Sequence, residues 1–552
     1  MRKSAILILL VVISGRLLAQ GTFSGDLMMN LNFFQADAKI GASNNPLYND
    51  LLNGNDGWLD LRYSVNGFNF FVRADAFDNS NLKNPAAPMS GIGIGAWSVN
   101  KEVEGLNITV GSIYDQIGSG ILFRAYEDRG LLIDNALMGI ELKYKIGKNI
   151  TLKGFVGEQK NNDEFSANNS TQVIIASSSV YAPVIKGFNA EGDYSVGKVH
   201  ILPGIGILNR TLDQTSMTQI VGTIDGQPLN THFNPMYNMY AFSAYNTLVY
   251  KNFSWYAEGD YKTHEAINEP DAAGNEMLVN KPGNVEYTSL TYGKKGIALS
   301  LQGKRTEDFV MRVSPNTPPT PLDEYLDWEP IIATLRPERL MSRYTPISED
   351  ISEMAGTASL TLSPNDLTNF NLTYTNINTL QDQTLYREYY ADVFRQWTSW
   401  ILQGGAQYME FNIQQYESEG SAQHPIVYAF TPFVEATYRI NERKSIRAEL
   451  QYQDTKQDYG SWVYALIEYD LAPKWSLSAA DMYNIVPNPN NDNHDYHNPG
   501  LNYPTVYAAY TKGPHRFSLA YVKQADGINC SGGVCRYEPA FSGVKATLTS
   551  SF

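Results

Sequence analysis

The most distinctive charged segment of the chain runs from Gly118 to Asn135. It places acidic and basic side chains a few positions apart among apolar residues. Opposite charges at this spacing form ion pairs where access of water is restricted. We therefore expect a folded element with internal ion pairs. The candidate residues are Arg124, Glu127, Asp128, Arg129 and Asp134.

Two further residue sets have cross-linking or metal-binding chemistry. Cys530 and Cys535 flank a short Gly-containing stretch, which predicts a disulfide closing a loop tip. A cysteine pair alone is too few for structural zinc, which takes four ligands. The stretch 487–499 carries oxygen and imidazole ligands suited to a divalent cation, but their spacing matches no EF-hand loop or HExxH helix. A hydrated surface loop is favoured over a cation site at Asp492, His494, Asp495 and His497.

The sequence contains no clear motif of a catalytic site. There is no Gly-x-Ser-x-Gly elbow in a strand–turn–helix context, and the glycine-rich run at 91–95 lies in strand-like sequence. The hydrophobic periodicity places none of the seven histidines beside a serine and an acid. We expect no enzymatic activity, no metal and no cofactor.

The elements that position these residues follow a period of two. In the stretch 446–453, for example, apolar residues alternate with polar ones. Alternation over about 8–12 residues indicates strands with one apolar and one polar face. Tight polar turns separate the strands at one end, whereas the segments between them are longer and rich in Asn, Pro, Asp and Gly. The turns lie at 65–67, 147–149, 197–198, 251–252, 293–296, 441–444, 472–474 and 512–514.

This asymmetry favours an all-β fold, a large transmembrane antiparallel β-barrel, over a soluble sandwich. The turns give roughly 18 strands, and the stretches 67–147 and 296–441 are expected to hide about three more turns. We predict about 24 strands, within 22–26, with short periplasmic turns and long extracellular loops. Because alternation begins at residue 27, we also expect no plug domain.

The first twenty residues are typical of a signal peptide. Arg2 and Lys3 precede an apolar core at 5–14, and Leu18-Ala-Gln is a plausible cleavage end. The domains predicted are a signal peptide at 1–20 and a barrel at 21–552, in the cell outer membrane. The net charge of −15 argues against nucleic acid as a partner. Expected partners are outer-membrane lipid, lipopolysaccharide and the barrel-insertion machinery, since the final strand ending in Phe552 resembles the signature that this machinery recognises.

The Gly118–Asn135 block, the Leu-Ala-Gln end and the Tyr/Asn-rich barrel sequence together resemble an uncharacterised outer-membrane β-barrel family of Bacteroidota. The resemblance implies a barrel in the outer membrane over the whole mature chain. It brings no activity and no catalytic residues with it.

The fold leaves two functions open. The first is a porin-like passive channel for small solutes with a loop-constricted lumen, because a barrel of this size is otherwise a wide hole. The second is a non-catalytic scaffold or accessory barrel of a secretion or surface-assembly machine, with a protein partner at the loops or lumen. The Gly118–Asn135 element either constricts the lumen or docks that partner, or is a salt-bridged loop at the barrel mouth. The long loop between Glu307 and Glu353 either folds inward or caps the surface. Predicted lumen-lining residues are Lys143, Lys153, Glu258, Asp260, Glu435, Arg439, Arg447 and Glu449.

Overall fold

The structure is a computed structural model. The predicted signal peptide and the candidate cation ligands at 492–497 lie outside the residues that it describes. Those residues are 21–82, 87–160, 173–175, 183–270, 276–315, 325–347, 351–417, 425–487, 500–531 and 534–552.

Twenty-four of the described strands close into one antiparallel barrel, and a short strand, Val173–Ile175, pairs in parallel with one of them at Ile92–Ile94. Each strand pairs with its neighbours in chain order, and the last pairs with the first from Asp26↔Ser551 to Phe34↔Gly543. The predicted all-β barrel and its strand number are confirmed. Numbered along the chain, the strands are β1 Thr22–Phe34, β2 Asn53–Val65, β3 Phe68–Ser80, β4 Met89–Val103, β5 Leu106–Ile113, β6 Leu137–Ile146, β7 Ile150–Gln159, β8 Val184–Gly192, β9 Val199–Thr211, β10 Asn238–Tyr250, β11 Phe253–Pro270, β12 Glu276–Lys294, β13 Ile297–Glu307, β14 Glu353–Asn365, β15 Thr368–Thr379, β16 Thr384–Gln396, β17 Trp400–Asn412, β18 Ile426–Asn441, β19 Lys444–Gln453, β20 Gly460–Leu471, β21 Trp475–Pro487, β22 Asn502–Lys512, β23 His515–Gln524 and β24 Phe541–Ser551.

All the predicted tight turns lie at one end of the barrel, called here the tight-turn end. Asn66 and Gly67 between β2 and β3 have φ values of 50° and 75°, the left-handed pair that a two-residue hairpin needs. The turns hidden in the two long stretches lie at 104–105, 366–367 and 397–399. The remaining connections, most of them longer, lie at the opposite end, called here the loop end.

Side chains alternate between the outside and the inside of the barrel. On β19, Leu450 and Tyr452 are exposed on the outer face, whereas Gln451 and Gln453 are buried inside. Aromatic pairs line the outer face near the tight turns, with ring centroids 4.7 Å apart in Trp400–Tyr438 and in Trp475–Tyr510. Such an apolar band with aromatic ends is typical of lipid-facing barrels. In the described part of the chain, no helix is long and apolar enough to cross a membrane.

Two loop-end connections fold into the barrel: 114–136 between β5 and β6, and 308–352 between β13 and β14. Their backbones are hydrogen-bonded to each other. The Arg124 N–H donates to the Leu326 carbonyl at 2.9 Å, and the Trp328 N–H donates to the Gly120 carbonyl at 3.1 Å. We call the described residues of these two connections the lumenal plug. The described part of the long loop therefore lies against the inner wall.

Apolar packing holds the first connection inside. Ile117, Ile121 and Phe123 are buried against apolar side chains of the inner wall, including Phe155 of β7 and Leu208 of β9. The rings of Phe123 and Phe155 lie 4.7 Å apart. Full burial of each such side chain stabilises the folded state by about 1.5–3 kcal/mol. The barrel without a separate plug domain stays a prediction, but two of its own connections fill part of its lumen.

Candidate functional site

Arg73 of β3 is the centre of a buried charge network beneath the loop end. It is 2% exposed and forms ion pairs with Asp75 at 2.7 Å, Asp134 at 2.6 Å and Glu127 at 2.8 Å. Asp75 lies on the same strand, whereas Glu127 and Asp134 belong to the 114–136 connection. The network therefore ties that connection to the wall of the barrel.

Asp134 has two more partners. Lys160 forms an ion pair with it, and the Tyr114 hydroxyl donates to it at 2.9 Å. Burial raises the pKa of Asp134, but the Lys160 and Arg73 cations outweigh burial, so its pKa lies below the ordinary value. Asp134 is consequently ionised at neutral pH.

Of the charges predicted to pair within the segment, Arg129 and Glu127 do so at 2.7 Å. Arg129 also reaches Asp60 of β2 at 2.9 Å. Asp128 accepts a hydrogen bond from the Leu131 N–H at 3.0 Å and so shapes the local turn. The wall partners Asp60 and Arg73 were missing from the sequence-based set.

Arg124, the remaining predicted residue of the segment, has aromatic neighbours. Its guanidinium carbon lies 4.3 Å from the Trp328 ring centroid and 4.8 Å from that of Tyr126. Both distances are in the range of cation–π contacts.

Lys143 and Lys153, two of the candidate lumen residues, lie on the inner wall, and both contact the plug. Their ammonium groups pair with Asp115 at 2.6 Å and 3.0 Å. Lys143 also contacts Glu141 at 3.1 Å. These lysines therefore hold the start of the 114–136 connection instead of standing free in a pore.

Glu258 of β11 anchors the same connection from another side. It accepts hydrogen bonds from the Ser119 N–H at 3.2 Å and from the Tyr256 hydroxyl at 2.7 Å. A Cβ on Gly118 would lie 2.3 Å from the Glu258 carboxylate, so glycine permits this close approach. Asp260 is buried on the same inner face of β11.

The other predicted lumen residues lie on a distant part of the wall. Arg447 pairs with Glu435 at 2.9 Å and with Glu449 at 3.3 Å across β18 and β19. Arg439 is exposed on the same face of β18, close to the tight-turn end. The structure thus brings Glu435, Arg447 and Glu449 into one cluster, separate from Lys143 and Glu258.

The 308–352 connection is anchored at the wall of β16. Arg336 pairs with Glu388 at 2.8 Å, and its guanidinium carbon lies 3.5 Å from the centroid of the Tyr390 ring. The Glu388 side chain is fully buried. Such an ion pair fixes the position of the connection on the wall, because separating the two residues would leave a buried charge without a partner.

Two more anchors follow further around the barrel. The Leu340 N–H donates to Gln451 of β19 at 2.7 Å, and Gln453 donates to the Leu340 carbonyl at 2.8 Å. Arg343 then pairs with Asp458, between β19 and β20, at 2.9 Å. The described residues of this connection thus contact the wall from β13 to the segment between β19 and β20, so they cross the lumen.

Between the plug and the tight-turn end lies a region that we call the vestibule. On β14 and β15 its wall is neutral and polar, with Thr357 bonded to Thr375 at 3.0 Å and Thr361 to Asn371 at 2.8 Å. Under the 114–136 connection, two cavities of about 490 and 620 Å³ open. The larger, called here the vestibule cavity, is lined by Asp60, Arg62, Phe71, Tyr114, Asp115, Gln116, Arg124, Ala125, Tyr126 and Glu127.

The cysteine pair lies in a two-stranded hairpin at the loop end, where the register sets Cys530 opposite Cys535. The disulfide itself stays a prediction. We expect the unfolded, unreduced protein to take up no maleimide and the reduced protein to take up two equivalents, counted by mass spectrometry. Labelling of the unreduced protein at both positions would contradict the disulfide, and Cys530→Ser is the control that should leave one reactive thiol.

Within the described ranges, no three His, Cys, Asp or Glu side chains cluster in a way that could hold a metal ion.

Comparisons with known proteins give a family and a set of distant structures. A family model described as "Family of unknown function (DUF6029)" matches residues 1–552. No curated protein sequence matches the chain.

Among solved structures, the siderophore receptor PirA from Pseudomonas aeruginosa is 7% identical, with 96% of this chain and 80% of that chain covered and a TM-score of 0.42. The P pilus usher PapC translocation pore is 8% identical, with 96% and 99% covered and a TM-score of 0.41. The ferric-catecholate import receptor Fiu from E. coli K12 is 9% identical, with 97% and 81% covered and a TM-score of 0.40.

Proposed function

We propose a function for this chain, which belongs to the DUF6029 family of unknown function. From its own geometry, we infer that it is a porin-like passive channel of the outer membrane for small solutes. The lumenal plug holds this channel at low conductance. The proposal includes no catalytic step and no cofactor. An origin in Bacteroidota stays a prediction.

The outer surface supports the membrane part of this proposal. The apolar outer face and its aromatic pairs suit contact with outer-membrane lipid and lipopolysaccharide. In such barrels the short turns face the periplasm and the longer loops face outward. The vestibule then opens to the periplasm, and the barrel-insertion machinery is the expected assembly partner.

The observation that carries the proposal is the path of the 308–352 connection. Its contacts run from Lys304 of β13, which pairs with Glu329 at 2.8 Å, to Asp458 between β19 and β20. A closed barrel of 24 strands is wide enough to enclose an aqueous lumen. The bore is therefore set by the plug and not by the wall.

Single-channel recording tests the proposal. We expect the purified full chain in a planar bilayer to give stable steps that grow with salt concentration and stay well below the conductance of an unobstructed barrel. A folded, heat-modifiable protein that stays silent over a wide range of salt and voltage would overturn the channel. That result would leave the scaffold or accessory barrel, with co-purification in mild detergent as the way to find its partner.

A further inference from the structure

Arg124 is a half-buried cation without a carboxylate. Among the described residues, no Asp or Glu lies at ion-pair distance from its guanidinium, whereas Arg73 and Arg129 in the same region each have at least two. Burial lowers the pKa of Arg124, because the charged form loses contact with water and gains no acidic neighbour in return. The positive charge at this position is therefore uncompensated by any carboxylate of the described residues.

The site is built to hold this guanidinium in place. Trp328 and Tyr126 lie beside it, at 4.3 Å and 4.8 Å from ring centroid to guanidinium carbon. A Cβ on Gly120 would lie 3.2 Å from the Arg124 Cδ and 3.6 Å from the Trp328 ring, and Gly120 has a φ of 105°. Only glycine fits there without strain. Stacking uses the faces of a guanidinium and leaves its N–H donors at the edge.

Arg124 lines the vestibule cavity of about 620 Å³, a volume in the range of small-molecule sites. The carboxylates of this cavity already have cations: Asp60 has Arg129, and Asp115 has Lys143. Glu127 is likewise paired, with Arg73 and Arg129. The guanidinium of Arg124 is therefore available to bind an anion in this cavity. The aromatic rings of Phe71, Tyr114 and Tyr126 lie beside it.

We propose that the vestibule cavity binds small organic monoanions, solutes that carry one carboxylate on a body about the size of one ring. The carboxylate binds the N–H donors of Arg124, and the body packs against Phe71 and Tyr114. A guanidinium suits this role because its planar fork matches a carboxylate. As the solute class of the channel, the inference rests on the proposed function, but binding itself needs no conduction.

Benzoate is the probe for this site, and the full chain in detergent is the sample. By titration calorimetry we expect benzoate to bind at least about tenfold more tightly than benzyl alcohol, which lacks the charge, and acetate, which lacks the ring. Arg124→Gln should weaken benzoate binding about tenfold or more, and Arg124→Lys should weaken it less. The matched control is Arg395→Gln, which removes another ring-stacked guanidinium, 5.3 Å from Trp397 and outside the cavity.

Equal binding of benzoate and benzyl alcohol, or undiminished binding of benzoate to Arg124→Gln, would overturn the site. Heat-modifiability on gels shows whether Arg124→Gln folds. If it does not fold, the site is tested by the relative affinities of benzoate, benzyl alcohol and acetate for the unmodified chain, and by the affinity of Arg124→Lys for benzoate. A protein that binds benzoate but stays silent in bilayers contradicts the channel and keeps the site. One that conducts but shows no preference for benzoate contradicts the site and keeps the channel.

Discussion

Replacing residues 308–352 by a short Gly-Ser linker is expected to raise single-channel conductance several-fold. This connection crosses the lumen and is fixed there at Glu388, Gln451 and Asp458. The barrel closes by strand pairing between β1 and β24, which the deletion leaves intact. Removing the connection should therefore widen the bore without opening the wall.

A second deletion tests whether the rise in conductance is specific to the 308–352 connection or follows from the loss of any loop. The connection 212–237 also lies at the loop end, and its helix Gln214–Asp225 packs against Ala266 of β11 and Leu278 of β12. Its replacement by the same linker should leave the conductance unchanged. Equal conductance of the 308–352 deletion and the unmodified chain would show that this connection does not set the bore.

The barrel is predictable from sequence because its signals are local. A period of two and turns such as Asn66-Gly67 need only neighbouring residues. The turn at 397–399 has the sequence Trp-Thr-Ser and is not located by the sequence pattern, because it contains neither glycine nor asparagine. Its existence was inferred only from the length of the stretch around it.

The plug was harder to foresee because its partners are distant in sequence. The charges of the 114–136 connection were evident, but nothing in their spacing points to Asp60 or Arg73, which the barrel closure brings beside them. One signal was available. Phe155 and Leu208 are large apolar residues on the face that should be polar, near the loop end of their strands. Apolar residues on a lumen face indicate that something covers them.

Several of the predicted lumen residues hold the plug. Lys143, Lys153 and Glu258 lie on the inner wall, yet their partners are Asp115 and Ser119 of the plug. They hold the constriction instead of facing passing solutes. Arg447 and its acidic neighbours contact no residue of the plug through an ion pair in the described ranges, so they are better placed to act on ions in the lumen.

The largest effect of a single substitution is expected at Arg73. Arg73→Met removes the cation shared by Asp75, Glu127 and Asp134 and leaves their carboxylates in a buried site. Breaking a buried pair from one side costs about 3–5 kcal/mol, which the folded state can reduce by releasing the 114–136 connection. We expect faster hydrogen exchange across 114–136 by mass spectrometry and noisier, larger conductance steps, with the barrel strands still protected.

The control for Arg73→Met is Arg305→Gln, whose partner Glu307 lies 2.7 Å away with both side chains at least 40% exposed. An exposed pair contributes about 0–1 kcal/mol, so this variant should match the unmodified chain. Exchange that rises equally in plug and barrel after Arg73→Met would mean that the network stabilises the whole fold and not the plug alone.

The pH dependence of the plug gives an independent check on the same network. The pKa of Asp134 is lowered in the folded protein, so its contribution to stability is present above the ordinary aspartate value of about 3.9 and is lost as pH falls through the lowered pKa. The protection factors across 114–136, which correct exchange for its intrinsic rate at each pH, should therefore stay constant from pH 7 to about 5 and fall only in stronger acid. In Arg73→Met, one of the two cations that lower this pKa is gone and Lys160 remains, so the loss of protection should begin at a higher pH. A shift of onset confined to 114–136 would show that Arg73 holds the plug through its carboxylate partners on that connection, Asp134 and Glu127, which no effect on the barrel wall alone would produce.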